Sequence, residues 1–229
     1  MPVLDSGVRA VFFDAVGTLL FPEPAAPAAY AAVARRHGLD LSAEAVRERF
    51  AAAYRREEAA DIALQWATSE GRERDRWRAV VAEVLAGVPD VAACFDHLFH
   101  HFAQPHAWRV HPDAAGLLPA LRARGLVLGM GSNYDARLGS VLAGFPELAP
   151  LAGRVLISSQ VGVRKPGAAF FRAVADAAGC APGEVLFVGD DRENDYLGAT
   201  AAGLRAVLFD PDGRHPQVRH RLERLADLG

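Results

Sequence analysis

The sequence predicts an α/β fold: a doubly wound, parallel-sheet, Rossmann-like core with an α-helical cap domain inserted after the first strand. Three observations predict it. Five short apolar runs rich in β-formers are separated by helical patterns. Several of those helical patterns are bounded by proline at the start or glycine at the end. One long segment, between the first and second runs, has helical spacing throughout and no strand candidate.

The five runs are VRAVFF (8–13), LVLGMGS (126–132), RVLIS (154–158), VLFVG (185–189) and RAVLF (205–209). Continuous apolar runs of this length suit parallel strands buried on both faces. Between them, HPDAAGLLPALRARG (111–125) places Leu117, Leu118 and Leu121 on one helical face and stops at Gly125. PGAAFFRAVADAAG (166–179) opens on proline and closes on glycine in the same way. Such alternation is the pattern of a doubly wound sheet. The exceptional segment holds AAPAAYAAVARRHG, SAEAVRERFAAAYRREEAADIALQWA, RERDRWRAVVAEVLAG and CFDHLFHHFA, each with apolar residues at helical intervals. It reads as a separate helical domain over 21–106, with hinges near FPEP and QPHAW, leaving 1–20 and 107–229 as the core.

Composition narrows the function classes. With 51% hydrophobic and 23% charged residues, the 229-residue chain is globular and not disordered. A formal charge of −3 gives no electrostatic footprint for nucleic acid. No apolar stretch is long enough to span a bilayer, and MPVLDSGVRA lacks the pattern of a secretory signal. The two cysteines, Cys94 and Cys180, are far apart, as expected for reduced thiols in a cytoplasmic protein.

In an open parallel sheet, ligands bind beyond the carboxyl ends of the strands. Asp14-Ala15-Val16-Gly17-Thr18 follows the first run, and Ser132-Asn133 the second. Arg164-Lys165-Pro166 follows the third, and Gly189-Asp190-Asp191 with Asp195 the fourth. All four therefore converge on one edge. Carboxylates, a hydroxyl and a lysine in one cleft can hold a divalent cation and a phosphoryl group together. Asp14, Asp190 and Asp195 are hard oxygen donors suited to Mg²⁺. Lys165, the only lysine in the chain, would offset negative charge, and Ser132 would hydrogen-bond phosphoryl oxygens. Asp14 is the expected nucleophile, with metal and lysine stabilising the transition state.

The ordered motifs DAVGT, SN, KP and GDDREND resemble the haloacid dehalogenase-like hydrolase superfamily, and the helical insertion resembles its small cap. GSNYDARL and RKPGAAFF are similar to the branch holding 2-haloacid dehalogenases and small-molecule phosphatases. The resemblance implies a Mg²⁺-dependent hydrolase of small phosphorylated metabolites, monomeric or homodimeric. Asp14, Asp190, Asp195 and the Val16 carbonyl would hold the metal. Thr18, Ser132, Asn133 and Lys165 would contact the phosphoryl group.

One residue departs from the pattern. Phosphatases of this superfamily carry a second aspartate two positions after the nucleophile, as general acid and then base; here it is Val16. Losing such a group costs about 10²–10⁴-fold, or about 3–5 kcal/mol of barrier. The expectation is slow turnover, least impaired for leaving groups that depart as anions. Two alternatives stay open: 2-haloacid dehalogenase chemistry at Asp14, and a non-catalytic binding protein. Asp191 is read as facing either metal or solvent, and FDPDGRH (209–215) as a turn. Tyr30, Tyr54, Trp66 and Trp77 are read as packing residues, any of which could line a pocket.

Overall fold

The computed structural model describes Leu4 and residues 7–228. In chain order, β1 (Ala10–Phe13) and β2 (Leu20–Pro22) lead into four helices, α1 (Ala26–Arg36), α2 (Ala43–Ala63), α3 (Glu70–Val84) and α4 (Val91–His101). The chain returns through β3 (Trp108–Val110), α5 (Ala114–Ala123), β4 (Val127–Ser132), α6 (Arg137–Leu142), β5 (Val155–Ile157), α7 (Ser158–Val161) and α8 (Ala168–Ala178). It ends through β6 (Val185–Gly189), a π-helical turn at Arg192–Leu197, α9 (Gly198–Ala201), β7 (Arg205–Phe209) and β8 (Arg221–Leu222).

All five predicted runs form strands of one parallel sheet, ordered β5-β4-β1-β6-β7-β8. Successive residues of a strand point to opposite faces, and both faces are covered. Val11, Phe13, Met130 and Val188 pack with the α5 leucines. Ala10, Phe12 and Phe187 pack with Phe170, Phe171 and Val174 of α8. The register sets Phe13 opposite both Met130 and Val188. Asp14 therefore emerges level with Gly131 and Gly189 at the carboxyl edge.

Helices α1–α4 enclose an apolar cluster of their own around Tyr30, Val46, Val80, Val84, Cys94 and Leu98. Ser42, Ser69 and Asp90 cap α2, α3 and α4 by accepting from the main-chain N–H of Ala45, Arg72 and Ala93.

Three details differ from the sequence reading. Phe21 and Pro22, placed in the helical segment, belong to β2 and pair antiparallel with Arg109 and Trp108 of β3. Strand β8 adds a sixth member to the sheet through two residues. Both are too short to leave a periodic signature. The predicted long helix over 42–67 stops at Ala63. Gln65 and Trp66 then take φ of 52° and 66°, a costly region for such side chains.

That strained turn is offset by docking. The Trp66 carbonyl accepts the Arg164 N–H at 2.8 Å, and the Thr68 N–H donates to the Gly162 carbonyl at 3.0 Å. The Arg164 guanidinium enters the helical layer, bonding Glu73 and lying 3.3 Å from the Asp61 carboxylate. Arg76 pairs with the same Asp61. All four side chains are buried. Glu70 accepts the Ala136 N–H at 3.1 Å from the opposite side.

Removing one member of a buried charge network leaves its partners uncompensated. Arg164→Ala should therefore lower the unfolding free energy by about 3–5 kcal/mol, measured by urea denaturation. A loss below about 0.5 kcal/mol, typical of surface sites, would contradict this placement.

Candidate active site

The loops after β1, β4, β5 and β6 meet at the carboxyl edge, and Lys165 stands at their centre. Its Nζ donates to Asp14 Oδ1 at 2.6 Å, to Asp195 Oδ1 at 2.6 Å and to the Gly131 carbonyl at 3.1 Å. All three donor positions of the ammonium are thus engaged. Asn133 fixes the lysine's main chain from both sides: its Oδ1 accepts the Lys165 N–H at 2.8 Å, and its Nδ2 donates to the Lys165 carbonyl at 3.0 Å.

Asp190 completes the group. One carboxylate oxygen from each of Asp14, Asp190 and Asp195 lies within 4.8 Å of the others. Thr18, read from the sequence as a substrate contact, donates its hydroxyl to Asp190 Oδ1 at 3.3 Å. Ser132 is buried at the end of β4 and lines the cavity, as does half-buried Val16. Asn133 lines it too, but its amide holds Lys165 in place.

Two glycines make the close approach of these carboxylates feasible. Gly17 has φ of +98°, and a Cβ there would meet the Asp190 carboxylate at 2.3–2.6 Å. A Cβ on Gly189 would meet the Asp195 carboxylate at 2.2 Å. Asp195 also accepts the Asp191 N–H at 3.1 Å through its second oxygen. The Asp191 carboxylate caps the π-helical turn, accepting from the N–H groups of Glu193 and Asn194 at 2.8 and 2.9 Å.

Charge governs the chemistry of the donor set. Burial raises Asp14 above the usual carboxylate range; Lys165 pulls against that rise and Asp190 adds to it. Burial also raises Asp195, opposed by Lys165 and reinforced by Asp14. Asp190 is pushed up to about 7 by desolvation and then by Asp195. For Lys165, burial alone would favour loss of the proton, but Asp14 and Asp195 hold it above its ordinary value. Three carboxylates against one ammonium leave negative charge uncompensated. Clustered hard oxygens with surplus negative charge fit a divalent cation such as Mg²⁺.

A cavity of about 370 Å³ opens from these carboxylates into the helical layer. Its far walls include Tyr30, Tyr54 and Trp77, but not Trp66, which packs beside Gly167. Sequence reasoning missed Phe50, Phe99, Phe102, Tyr134 and Arg137, which also line it. Nothing in the sequence spacing of these residues distinguishes a cavity wall from a core. The FDPDGRH stretch is the expected turn, with Asp210 accepting the N–H groups of Arg214 and His215 at 2.8 and 2.9 Å.

Comparison with known proteins gives the family. Residues 8–203 match the family of haloacid dehalogenase-like hydrolases. The chain is similar to haloacid dehalogenase-like hydrolase domain-containing protein 3 of Homo sapiens, 33% identical over 96% of this chain and 92% of that protein. It is also similar to a ribulose-1,5-bisphosphate 5-phosphatase of Halopiger xanaduensis, 29% identical over 95% and 93%. In fold it is similar to a dehalogenase crystallised as an intermediate complex, with a TM-score of 0.74, 22% identity and coverage of 98% and 97%. No described helix is long and apolar enough to cross a membrane.

The Gly17 contact is directly testable. Gly17→Ala should cost about 1–3 kcal/mol of stability, from a side chain forced to positive φ, and should displace the Asp190 carboxylate. Denaturant melts measure the first effect and a structure of the variant the second. An unchanged melt with Asp190 in place would contradict the assignment.

Proposed function

The chain belongs to the haloacid dehalogenase-like hydrolase family, and within it we propose a Mg²⁺-dependent phosphatase of small phosphorylated metabolites that works through an aspartyl-phosphate intermediate. The observation that carries this reading is the Lys165 ammonium held between Asp14 and Asp195, with Asp190 completing a carboxylate triad. Phosphatases among the relatives support the same reaction class.

In this mechanism a carboxylate oxygen of Asp14 attacks phosphorus. The Asp14–O–P bond forms as the bond to the leaving oxygen breaks, and the electron pair departs with that oxygen. Val16 has no proton to give, so the leaving anion takes one from solvent. Water then attacks the phosphorus of the aspartyl phosphate. The P–O bond to Asp14 breaks, its carboxylate is restored, and inorganic phosphate leaves with the water's oxygen while one proton returns to solvent. Asp14, Asp190, Asp195 and the Val16 carbonyl would hold Mg²⁺. When bound, the ion supplies charge neutralisation for the carboxylates and the phosphoryl oxygens. Ser132 orients the transferring group, Lys165 holds Asp14 in place and sets its positive charge beside it, and Asn133 and Thr18 act behind them, on Lys165 and Asp190.

The same geometry bears on dehalogenation, the second reading. Val16 suits it, since halide leaves without a proton, but a metal-independent reaction leaves the Asp190–Asp195 cluster without a chemical role.

Phosphate release from an aryl phosphate should require Mg²⁺, vanish with EDTA and fall to background in Asp14→Asn. Val16→Asp should raise turnover of alkyl phosphates by about 10²-fold or more, because it restores a proton shuttle. A folded Val16→Asp variant with no gain would refute the missing shuttle as the cause of slow turnover. Halide release that survives chelation would move the assignment to dehalogenase.

A further inference from the structure

We infer that the leaving group accepted by this site is an uncharged aromatic ring, so that the substrate class is an aryl phosphate monoester whose ring is held by the helical layer. The inference rests on the phosphatase reading above and specifies it.

The cavity has two chemically different ends. One is the carboxylate and lysine edge; the other is a wall of rings from α1 to α4 and the residue after α4. Phe50, Tyr54, Trp77, Phe99 and Phe102 line it and are only half-buried. The rings are already ordered against each other. Phe50 stacks on Tyr54 at 5.9 Å, meets Tyr30 edge-on at 5.7 Å and lies 6.4 Å from Trp77. Such a wall offers flat apolar faces to a ring at little entropic cost.

Charge excludes the other substrate types. Besides Lys165, the lining carries one cation among the described residues, Arg137. Its guanidinium is bidentate on Asp135 at 2.8 and 2.7 Å and donates to the Phe99 carbonyl at 3.1 Å. It also lies 3.6 Å from the centre of the Phe99 ring. A carboxylate or second phosphate on the leaving group would meet at the aromatic end an arginine whose charge is already matched by Asp135, and burying a charge without a partner of its own is costly. A small acyl group would leave the ring wall unfilled.

The third observation is independent of the cavity's shape. Val16 lines the same space and cannot protonate a leaving oxygen. A phenolate needs that proton far less than an alkoxide does. Chemistry at one end and shape at the other therefore select the same group. The volume, about 370 Å³, is in the range that accepts one or two fused rings.

The test compares phenyl, 2-naphthyl and 4-carboxyphenyl phosphates with acetyl phosphate, all with Mg²⁺ and with Asp14→Asn as control. Phenyl and 2-naphthyl phosphates should be preferred in kcat/KM over 4-carboxyphenyl phosphate by about tenfold or more, although the carboxylated phenol is the better leaving group. Trp77→Ala and Phe50→Leu should each lower the ratio of 2-naphthyl to acetyl phosphate kcat/KM by about three- to tenfold. As a readout without turnover, phenylphosphonate should raise Tm more than methylphosphonate. Asp14-dependent turnover of acetyl phosphate, with 4-carboxyphenyl equal to phenyl phosphate, would overturn the inference and leave the phosphatase reading intact. No Asp14-dependent turnover of any of the four would overturn both. Equal stabilisation by the two phosphonates would overturn the ring site alone.

Discussion

The ammonium of Lys165 is the contact on which the site depends. It is buried, and it joins the loop after β1 through Asp14, the end of β4 through Gly131 and the turn after β6 through Asp195. A buried cation of this kind is tolerable only with full pairing, and the carboxylates are tolerable only with the cation. Each loop is therefore held in place by a charge that belongs to another. Asn133 fixes the lysine's main chain, so the side chain has little freedom to leave the cluster.

The residue before it plays the matching part for the helical layer. Arg164 and Lys165 are consecutive, yet one guanidinium is buried against Asp61 and Glu73 while the next ammonium is buried against Asp14 and Asp195. The same short loop thus ties the ring-lined wall of the cavity to its carboxylate edge. Placement of the helices over the site follows from two neighbouring cations, each with its own acidic pocket.

Much of this was legible in the sequence because it depends on strong, local signals. Apolar runs marked the parallel strands, and four motifs at strand ends marked residues that the fold brings to one edge. The proposed ligands Asp14 and Asp190 could be found this way because a carboxylate directly after an apolar strand lies at the edge where ligands bind, and Asp195 because it closes the GDDREND motif that follows β6. What escaped depended on pairing at a distance. Strands β2, β3 and β8 are too short for a period, and the roles of Thr18 and Asn133 are set by neighbours 172 and 32 residues away. Arg164 sat beside Lys165 in plain view, but its acidic partners lie in α2 and α3, and an arginine among many carries no mark of burial. The aromatic wall was hidden because helical spacing is the same for a ring in a core and a ring facing a cavity.

On the proposed reading, Val16 gives the site its character: Asp14 would attack and the carboxylates would hold a cation, without the acid that would help alkoxides leave or activate water against the intermediate. The direct test is to quench the wild-type protein within milliseconds of mixing with phenyl phosphate and Mg²⁺, then map phosphate by peptide mass spectrometry. Phosphate on the peptide containing Asp14, accumulating before steady-state release, is the predicted result. A peptide never phosphorylated above the level in Asp14→Asn, while turnover proceeds, would contradict covalent chemistry at this residue.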